Sequence, residues 1–402
     1  MIKQLLIVIL LSIVFSIEEK YTLVISFDGF RYDYLSFVDT PNFDSFIDSG
    51  VYAESLIPVF PSLTFPNHYS IATGSYADNH KILANTFYSK TLKRKYSMRD
   101  SDAVQDGKFY GAEPIWVTAE KNNVKTATYF WIGSEAEING YRPSIYKNYD
   151  GSVSFESRVD SIVKWLEYPI ERRPKISMLY FSEPDYTGHG YGVSTEHIKT
   201  SIKEMDELFG YIIEKLSKLD IYESMNILVV SDHGMADVSP ERVILLDEYI
   251  NLEDFNEIGG PSVTGLNLKE DLFVLNPKSF RKEMENAQIF SKNNIPKEYH
   301  YINNDTPDYI ILADEGWFIT TNTRLKQKRS FPLGMHGYDS KNLSMHGIFF
   351  AKGPSFKNGH KIPSFENINI YPMICSIHNL TPYNYESQKN IWDMKLINSI
   401  LK

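Results

Sequence analysis

An α/β fold with a mostly parallel central sheet flanked by helices is predicted for this chain by three observations. Apolar, β-branched runs such as TLVISF, SMLYF and NILVV alternate with amphipathic stretches, the rhythm of strands joined by crossover helices. The longest amphipathic stretch keeps its apolar residues at three- and four-residue steps, as a helix with one buried face does. Asp and His residues follow the ends of those same apolar runs. In an open α/β sheet, ligands bind outside the carboxyl ends of the strands.

In chain order, Tyr21–Phe27 is read as a strand, and Thr64–Thr73 starts a helix. Glu113–Asn122 is helical, Lys125–Phe130 extended and Ser154–Glu167 helical; Ile176–Phe181 is a strand. Ser194–Leu219 is a long helix capped by Ser194 or Thr195, with Ile198, Ile202, Met205, Leu208, Ile212 and Leu216 on its apolar face. Met225–Val230 and Gly347–Ala351 are further strands, and Ile368–His378 is a closing helix. Two stretches break the rhythm. Residues 75–112 are polar and Tyr-rich and are expected to form a loop or cap over the site. Residues 245–335 show no clear βα unit and are read as an inserted subdomain that returns His336 to the sheet. The basic run RLKQKR (Arg324–Arg329) inside this insert reads as a solvated surface strip.

With 402 residues the chain can bury a large core. Its 43% hydrophobic and 23% charged content is ordinary for a globular protein. A net charge of -10 argues against a nucleic-acid polymer as partner, since such binding needs a basic surface. Small anionic substrates stay open, because bound metals reverse the local sign of charge. Residues 1–16 read as a signal peptide: Lys3 is followed by the apolar run Leu5–Phe15 and by Val14 and Ser16 at small-residue positions. That run is shorter than the roughly 20 residues a membrane span needs. The expected product is therefore a secreted or lumenal monomer spanning 17–402, with an uncleaved tether as the alternative. Cys375 is the single cysteine, so no intrachain disulfide forms. Asn304, Asn342 and Asn379 open glycosylation acceptor patterns.

The chemistry lies in six Asp and His residues and one threonine. Asp28 lies in SFDGF, Asp185 and His189 in PDYTGH, Asp232 and His233 in SDHGM, and His336 in MHGYD. Thr64 lies in PSLTFPNH. Carboxylates and imidazoles are ligands that zinc selects. Taken singly these motifs are weak, but all of them at strand ends make a metal site. A threonine at a helix start suits an N-cap. It also suits a nucleophile, because a helix N-terminus favours negative charge and metal coordination activates a hydroxyl. His336 is preferred to His346, which begins a buried strand, and His68 is assigned a packing or supporting place one turn after Thr64.

The segments SFDGFRYDYL, FPSLTFPNHYSIATG, GAEPIWVTA, TYFWIGSEAEINGYRPSIY, EPDYTGHGYG, VVSDHGM, MHGYD and FFAKGPSF resemble the nucleotide pyrophosphatase/phosphodiesterase family of the alkaline phosphatase superfamily. The resemblance runs from about residue 21 to 380 and covers only the catalytic domain. It implies an alkaline-phosphatase-like fold and two Zn²⁺ ions. One would be held by Asp185, His189 and His336, the other by Asp28, Asp232, His233 and Thr64. Thr64 would attack phosphorus. Asn85 matches the family asparagine that donates to a non-bridging oxygen, which suits a diester. Leu83 stands where some relatives carry a base-stacking aromatic, and Phe130, Trp131, Tyr141 or Tyr186 are the candidates to replace it.

The expected function is zinc-dependent hydrolysis of nucleotide phosphodiesters or pyrophosphates to a nucleoside 5′-monophosphate. A phospholipid-headgroup diesterase of lysophospholipase C or choline type is the rival within enzymes, left open by Leu83 and the 245–335 stretch. A non-catalytic, zinc-stabilised binding protein is the rival of another class, although pure binding needs no nucleophile.

Overall fold

The computed structural model describes residues 19–269 and 284–402. The expected signal peptide, residues 1–16, lies outside them, as does the middle of the 245–335 stretch. Eight strands form the central sheet: β1 (Tyr21–Phe27), β2 (Val51–Ala53), β3 (Thr126–Tyr129), β4 (Ile145–Lys147), β5 (Ile176–Phe181), β6 (Met225–Val230), β7 (Phe349–Lys352) and β8 (His360–Ile362). They lie side by side in the order β8–β2–β7–β6–β1–β5–β3–β4. β1 runs parallel to both neighbours, with Phe27 opposite Phe181 and Ser26 opposite Val230. Three strands therefore end at one edge, and the residues that follow them share one surface. β7 is the exception, antiparallel to β6 and to β2. It starts two residues later than the sequence suggests, because Gly347 pairs with Leu56 as an isolated bridge.

The helices that matter for the site are α1 (Pro41–Asp48), α2 (Thr64–Thr73), α3 (Phe155–Leu166), α4 (Asp185–Tyr191), α5 (Glu196–Leu216) and α6 (Ile370–Ile377). They cover both faces of the sheet. Leu23, Ile25 and Phe27 of β1 pack with α3 and α5, while Val24 packs on the opposite face with α2 and α6. Burial on both faces explains why β1, β5 and β6 are continuous apolar runs rather than alternating ones. Of the two candidate caps of α5, Thr195 does the capping: its Oγ1 accepts from the Ile198 N–H at 3.4 Å. Buried Asp206 of α5 accepts from the Phe43 N–H and the Asn42 side chain, each at 2.8 Å. It thereby ties the N-terminus of α1 to the helix layer with a charge of favourable sign.

The two irregular stretches have structure of their own. Residues 75–112 contain the hairpin Thr86–Ser89/Arg94–Ser97 and several short helices rather than a plain loop. Within 245–335 an antiparallel sheet is ordered Phe255–Gly259, Val263–Leu268, Tyr309–Ala313, Ala287–Ser291. The chain then passes through the exposed Lys326, Lys328 and Arg329 to Gly334–Met335, which pair antiparallel with Ala236–Asp237. No helix among the described residues is long and apolar enough to cross a membrane.

Candidate active site

Each strand end delivers one part of a single cluster. Asp28 follows β1, Asp232 and His233 follow β6, and Asp185 and His189 sit one turn apart on α4 beyond β5. His336 follows the short Gly334–Met335 strand, and Thr64 opens α2. Thr64 is not the N-cap: Leu63 holds that position without a side-chain bond. The threonine hydroxyl instead donates to His233 Nε2 at 3.2 Å.

The histidines share one arrangement. Nδ1 of His189, His233 and His336 bonds the carbonyl of Gly334, Gly234 and Ser62 respectively, each at 2.9 Å. A carbonyl only accepts, so Nδ1 carries the hydrogen and each neutral ring turns its Nε2 lone pair inward. Those lone pairs face carboxylate oxygens. His233 Nε2 is 3.1 Å from Asp232 Oδ2 and 3.4 Å from Asp28 Oδ1. Asp185 lies 3.5 Å from His189 Nε2 through Oδ2 and 3.7 Å from His336 Nε2 through Oδ1. Asp28 Oδ1, Asp185 Oδ1 and Asp232 Oδ2 are buried and have no hydrogen-bond partner. Acceptors facing acceptors in a buried pocket need protons or cations between them. The ligating atoms of Asp185, His189 and His336, and of Asp28, Asp185 and His233, lie within 4.8 Å of one another. The donor set, oxygen and imidazole nitrogen only, fits a divalent ion such as zinc.

His68 also approaches Asp28 and Asp232 closely enough to count as a ligand by distance. Its hydrogen bonds argue otherwise. Nδ1 bonds the Thr64 carbonyl at 3.0 Å, and its N–H also faces Asp232 Oδ2 at 3.2 Å; Nε2 bonds Ser26 Oγ at 2.8 Å, so neither nitrogen is free. His68 is a buried support beneath the nucleophile's helix, with Trp131 donating to its own carbonyl. His346 is occupied elsewhere, by Ser55 Oγ at 2.8 Å and the Ser340 carbonyl at 3.1 Å.

The clustered carboxylates perturb one another. Burial, and then the charges of Asp232 and Asp185, push Asp28 well above its ordinary value, against the opposing hydroxyl of Tyr180, which donates to Asp28 Oδ2 at 2.6 Å. Burial also pushes Asp232 up, but His233, His68 and the Gly29 N–H outweigh it and hold that carboxyl low. Burial and the neighbouring His233 and His189 keep His336 neutral by lowering its pKa. Because the folded state raises the pKa of Asp28, it binds this proton more tightly than the unfolded chain does. The contribution of Asp28 to the stability of the metal-free protein should therefore be lost as pH rises above about 4 through that raised pKa, while the buried neutral His336 acts in the opposite sense near the ordinary histidine value. Asp28→Asn removes the penalty, so in chelator at pH 7 its Tm is expected to exceed that of the metal-free wild type, with the gap closing near pH 4. Calorimetry showing equal Tm values at pH 7 would overturn this.

Beside Thr64 lies a cavity of about 180 Å³ whose lining includes Asp28, Phe65, Phe130, Tyr149 and Glu135. A larger depression of about 290 Å³ around Phe46, Tyr222 and Lys352 contains none of the candidate site residues. Size therefore does not identify the site. Phe130 and Trp131 line the smaller cavity, as the sequence allowed. Leu83 does not. Its side chain is fully buried in the core, so it cannot meet a substrate. Tyr186 is 78% exposed on α4 and is not among the lining residues, and neither is Tyr141. Phe65, Tyr149 and Glu135 were not singled out from the sequence. Phe65 alone had a usable signal, its place next to Thr64. Asn85 Oδ1 accepts from the Phe65 N–H at 2.9 Å, which fixes the asparagine at the start of α2.

Comparison with known proteins agrees with this picture. The sequence pattern of the family described as type I phosphodiesterase / nucleotide pyrophosphatase matches residues 22–339. The chain is 38% identical over 366 residues to the bis(5′-adenosyl)-triphosphatase of Mus musculus, covering 90% of this chain and 78% of that protein. It is 35% identical over 376 residues to the venom phosphodiesterase of Naja atra, covering 91% of this chain. It spans only 45% of the length of that venom relative. In three dimensions it is similar to an inactive threonine-to-alanine variant of murine ectonucleotide pyrophosphatase/phosphodiesterase 5 in complex with AMP. The TM-score is 0.87 at 33% identity, over 96% of this chain and 100% of that one.

Proposed function

The chain belongs to the type I phosphodiesterase and nucleotide pyrophosphatase family, and from that premise we propose that it hydrolyses nucleotide phosphodiester and pyrophosphate bonds, releasing a nucleoside 5′-monophosphate. The observation that carries the reading is the Thr64 hydroxyl, at the first residue of α2 and 3.2 Å from His233 Nε2, beside three partnerless carboxylate oxygens. Two zinc ions would be held by Asp185, His189 and His336 and by Asp28, Asp232, His233 and Thr64. When bound, they supply Lewis acidity to the attacking and leaving oxygens of an in-line displacement. Thr64 Oγ1 attacks phosphorus and expels the first alcohol or phosphate, and water hydrolyses the resulting phosphothreonine ester. The amide oxygen of Asn85 is taken by the Phe65 N–H, which leaves its Nδ2 hydrogens for a non-bridging phosphate oxygen. A neutral donor suits the single charge of a diester. The aromatic cavity beside Thr64 receives the base, stacked against rings such as Phe65 and Tyr149.

A secretory route, with a cleaved leader and glycans on the exposed Asn304 and Asn379 and the half-buried Asn342, belongs to the same proposal, as does a monomeric state. Product analysis tests the activity. ATP should give AMP and pyrophosphate, and a dinucleotide should give a 5′-monophosphate, while lysophosphatidylcholine stays intact. Release of phosphocholine with ATP untouched would replace this reading by the headgroup-diesterase one.

A further inference from the structure

One charged group stands apart from the reacting centre. Arg158, on α3, is 1% exposed, and among the described residues no carboxylate lies within ion-pair distance of it. Its Nε donates to the Val153 carbonyl at 3.2 Å and its Nη1 to the Tyr180 carbonyl at 3.0 Å. The guanidinium carbon lies 4.8 Å from the centre of the Phe155 ring and 5.0 Å from that of Phe130. A buried cation without an anion is costly, and core packing alone would favour an apolar side chain here.

Two of the four residues that Arg158 touches border the cavity beside Thr64. Phe130 and Tyr180 both line it. Phe130 follows β3 in a left-handed conformation, φ 67°, which strains a bulky residue and persists only where the surroundings enforce it. Its ring meets Tyr149 edge-on at 5.1 Å. Tyr149 rides on the connection from β4 to α3 that Arg158 grips at Val153, and its N–H donates to Glu135 at 2.8 Å. Arg158 also holds the backbone of Tyr180, whose hydroxyl holds Asp28. One planar, forked cation therefore ties a strained ring, a loop and a strand into one wall. An ammonium could not do this, having neither the fork nor the flat face.

We propose that Arg158 is a positioning residue that sets specificity: it fixes the Phe130–Tyr149 wall in the shape that accepts a flat nucleobase. This rests on the reading of the cavity as the base subsite. Arg158 reaches no reacting atom, so the signature is a rise in KM confined to substrates that carry a base.

The test uses steady-state kinetics of the full chain on two esters. One is the p-nitrophenyl ester of thymidine 5′-monophosphate; the other, methyl p-nitrophenyl phosphate, keeps the leaving group and lacks the base. For Arg158→Lys and Arg158→Met the KM for the thymidine ester is expected to rise roughly tenfold, the scale of one lost stacking contact, with kcat held within about threefold. Their kcat/KM on the methyl ester should stay within about threefold of wild type. Tyr149→Ala should reproduce the KM rise, and the Tyr149→Ala/Arg158→Lys double variant should be no worse than Tyr149→Ala alone. If Arg158→Met fails to fold, Arg158→Lys and the double variant decide. Equal losses on both esters, additive losses in the double variant, or no change on either ester would overturn the proposal. A wild type that shows no preference for the thymidine ester would instead overturn the base-subsite reading, and the proposal with it.

Discussion

Thr64→Ala is expected to reduce kcat on the thymidine nitrophenyl ester by on the order of 10³-fold or more, with KM nearly unchanged. The reason is positional. Thr64 is the first residue of α2, and its hydroxyl is directed at the Nε2 face of His233 and not into a capping bond. Ser26 and Ser62 lie nearby in the fold but are buried and engaged, with His68 and with the Tyr338 carbonyl. Neither hydroxyl can substitute. The base would sit against rings that the change leaves in place, so ground-state binding survives. Thr64→Ser keeps the oxygen and should retain measurable turnover. Acid quenching of the wild type during turnover, followed by peptide mass spectrometry, should find the nucleotidyl group on the Thr64 peptide. A Thr64→Ala protein that still turns over at the wild-type rate would remove the proposed nucleophile.

Stripping divalent ions with a chelator is expected to abolish turnover, again by about 10³-fold or more, with recovery on adding zinc. The orphan oxygens Asp28 Oδ1, Asp185 Oδ1 and Asp232 Oδ2, facing Nε2 of His233 and His336, carry this expectation. The effect has a second readout, independent of activity. An ion that binds only the folded state stabilises it by about 4 kcal/mol at a concentration 1,000 times its Kd. The Tm should therefore rise with added zinc, and elemental analysis should count the ions retained. His336→Ala should lower the count and flatten that rise, since His336 contributes its Nε2 to one of the sets. Full activity and an unchanged Tm in the presence of chelator would refute a metal-dependent reaction.

Much of this was legible in the sequence, for identifiable reasons. Tyr21–Phe27, Ile176–Phe181 and Met225–Val230 are strands with the bounds expected. A strand buried on both faces admits few polar residues, so its ends stand out. The residues after those ends gathered because the parallel register leaves them no other edge. The antiparallel sheet within 245–335 was not legible. A segment such as FNEIG has neither a long apolar run nor a clean alternation. Nor were the cavity walls. An aromatic that lines a cleft and one that fills a core look alike in sequence, and only the turn of the backbone separates them. Leu83 illustrates this: two positions from Asn85, its side chain points into the core. His68 was the easier case, because a helix returns to the same face after four residues and so brings it beneath Thr64.

The route by which His336 reaches the pocket has a consequence for biosynthesis. Asp28 emerges from the ribosome among the earliest residues of the described fold, whereas His336 follows only after the antiparallel sheet has been made. Until then a nascent chain carries a set of mutually repelling acids with an incomplete complement of histidines. A chain that stalls before His336 would lack one imidazole of the proposed metal set and leave its clustered acids without that neighbour.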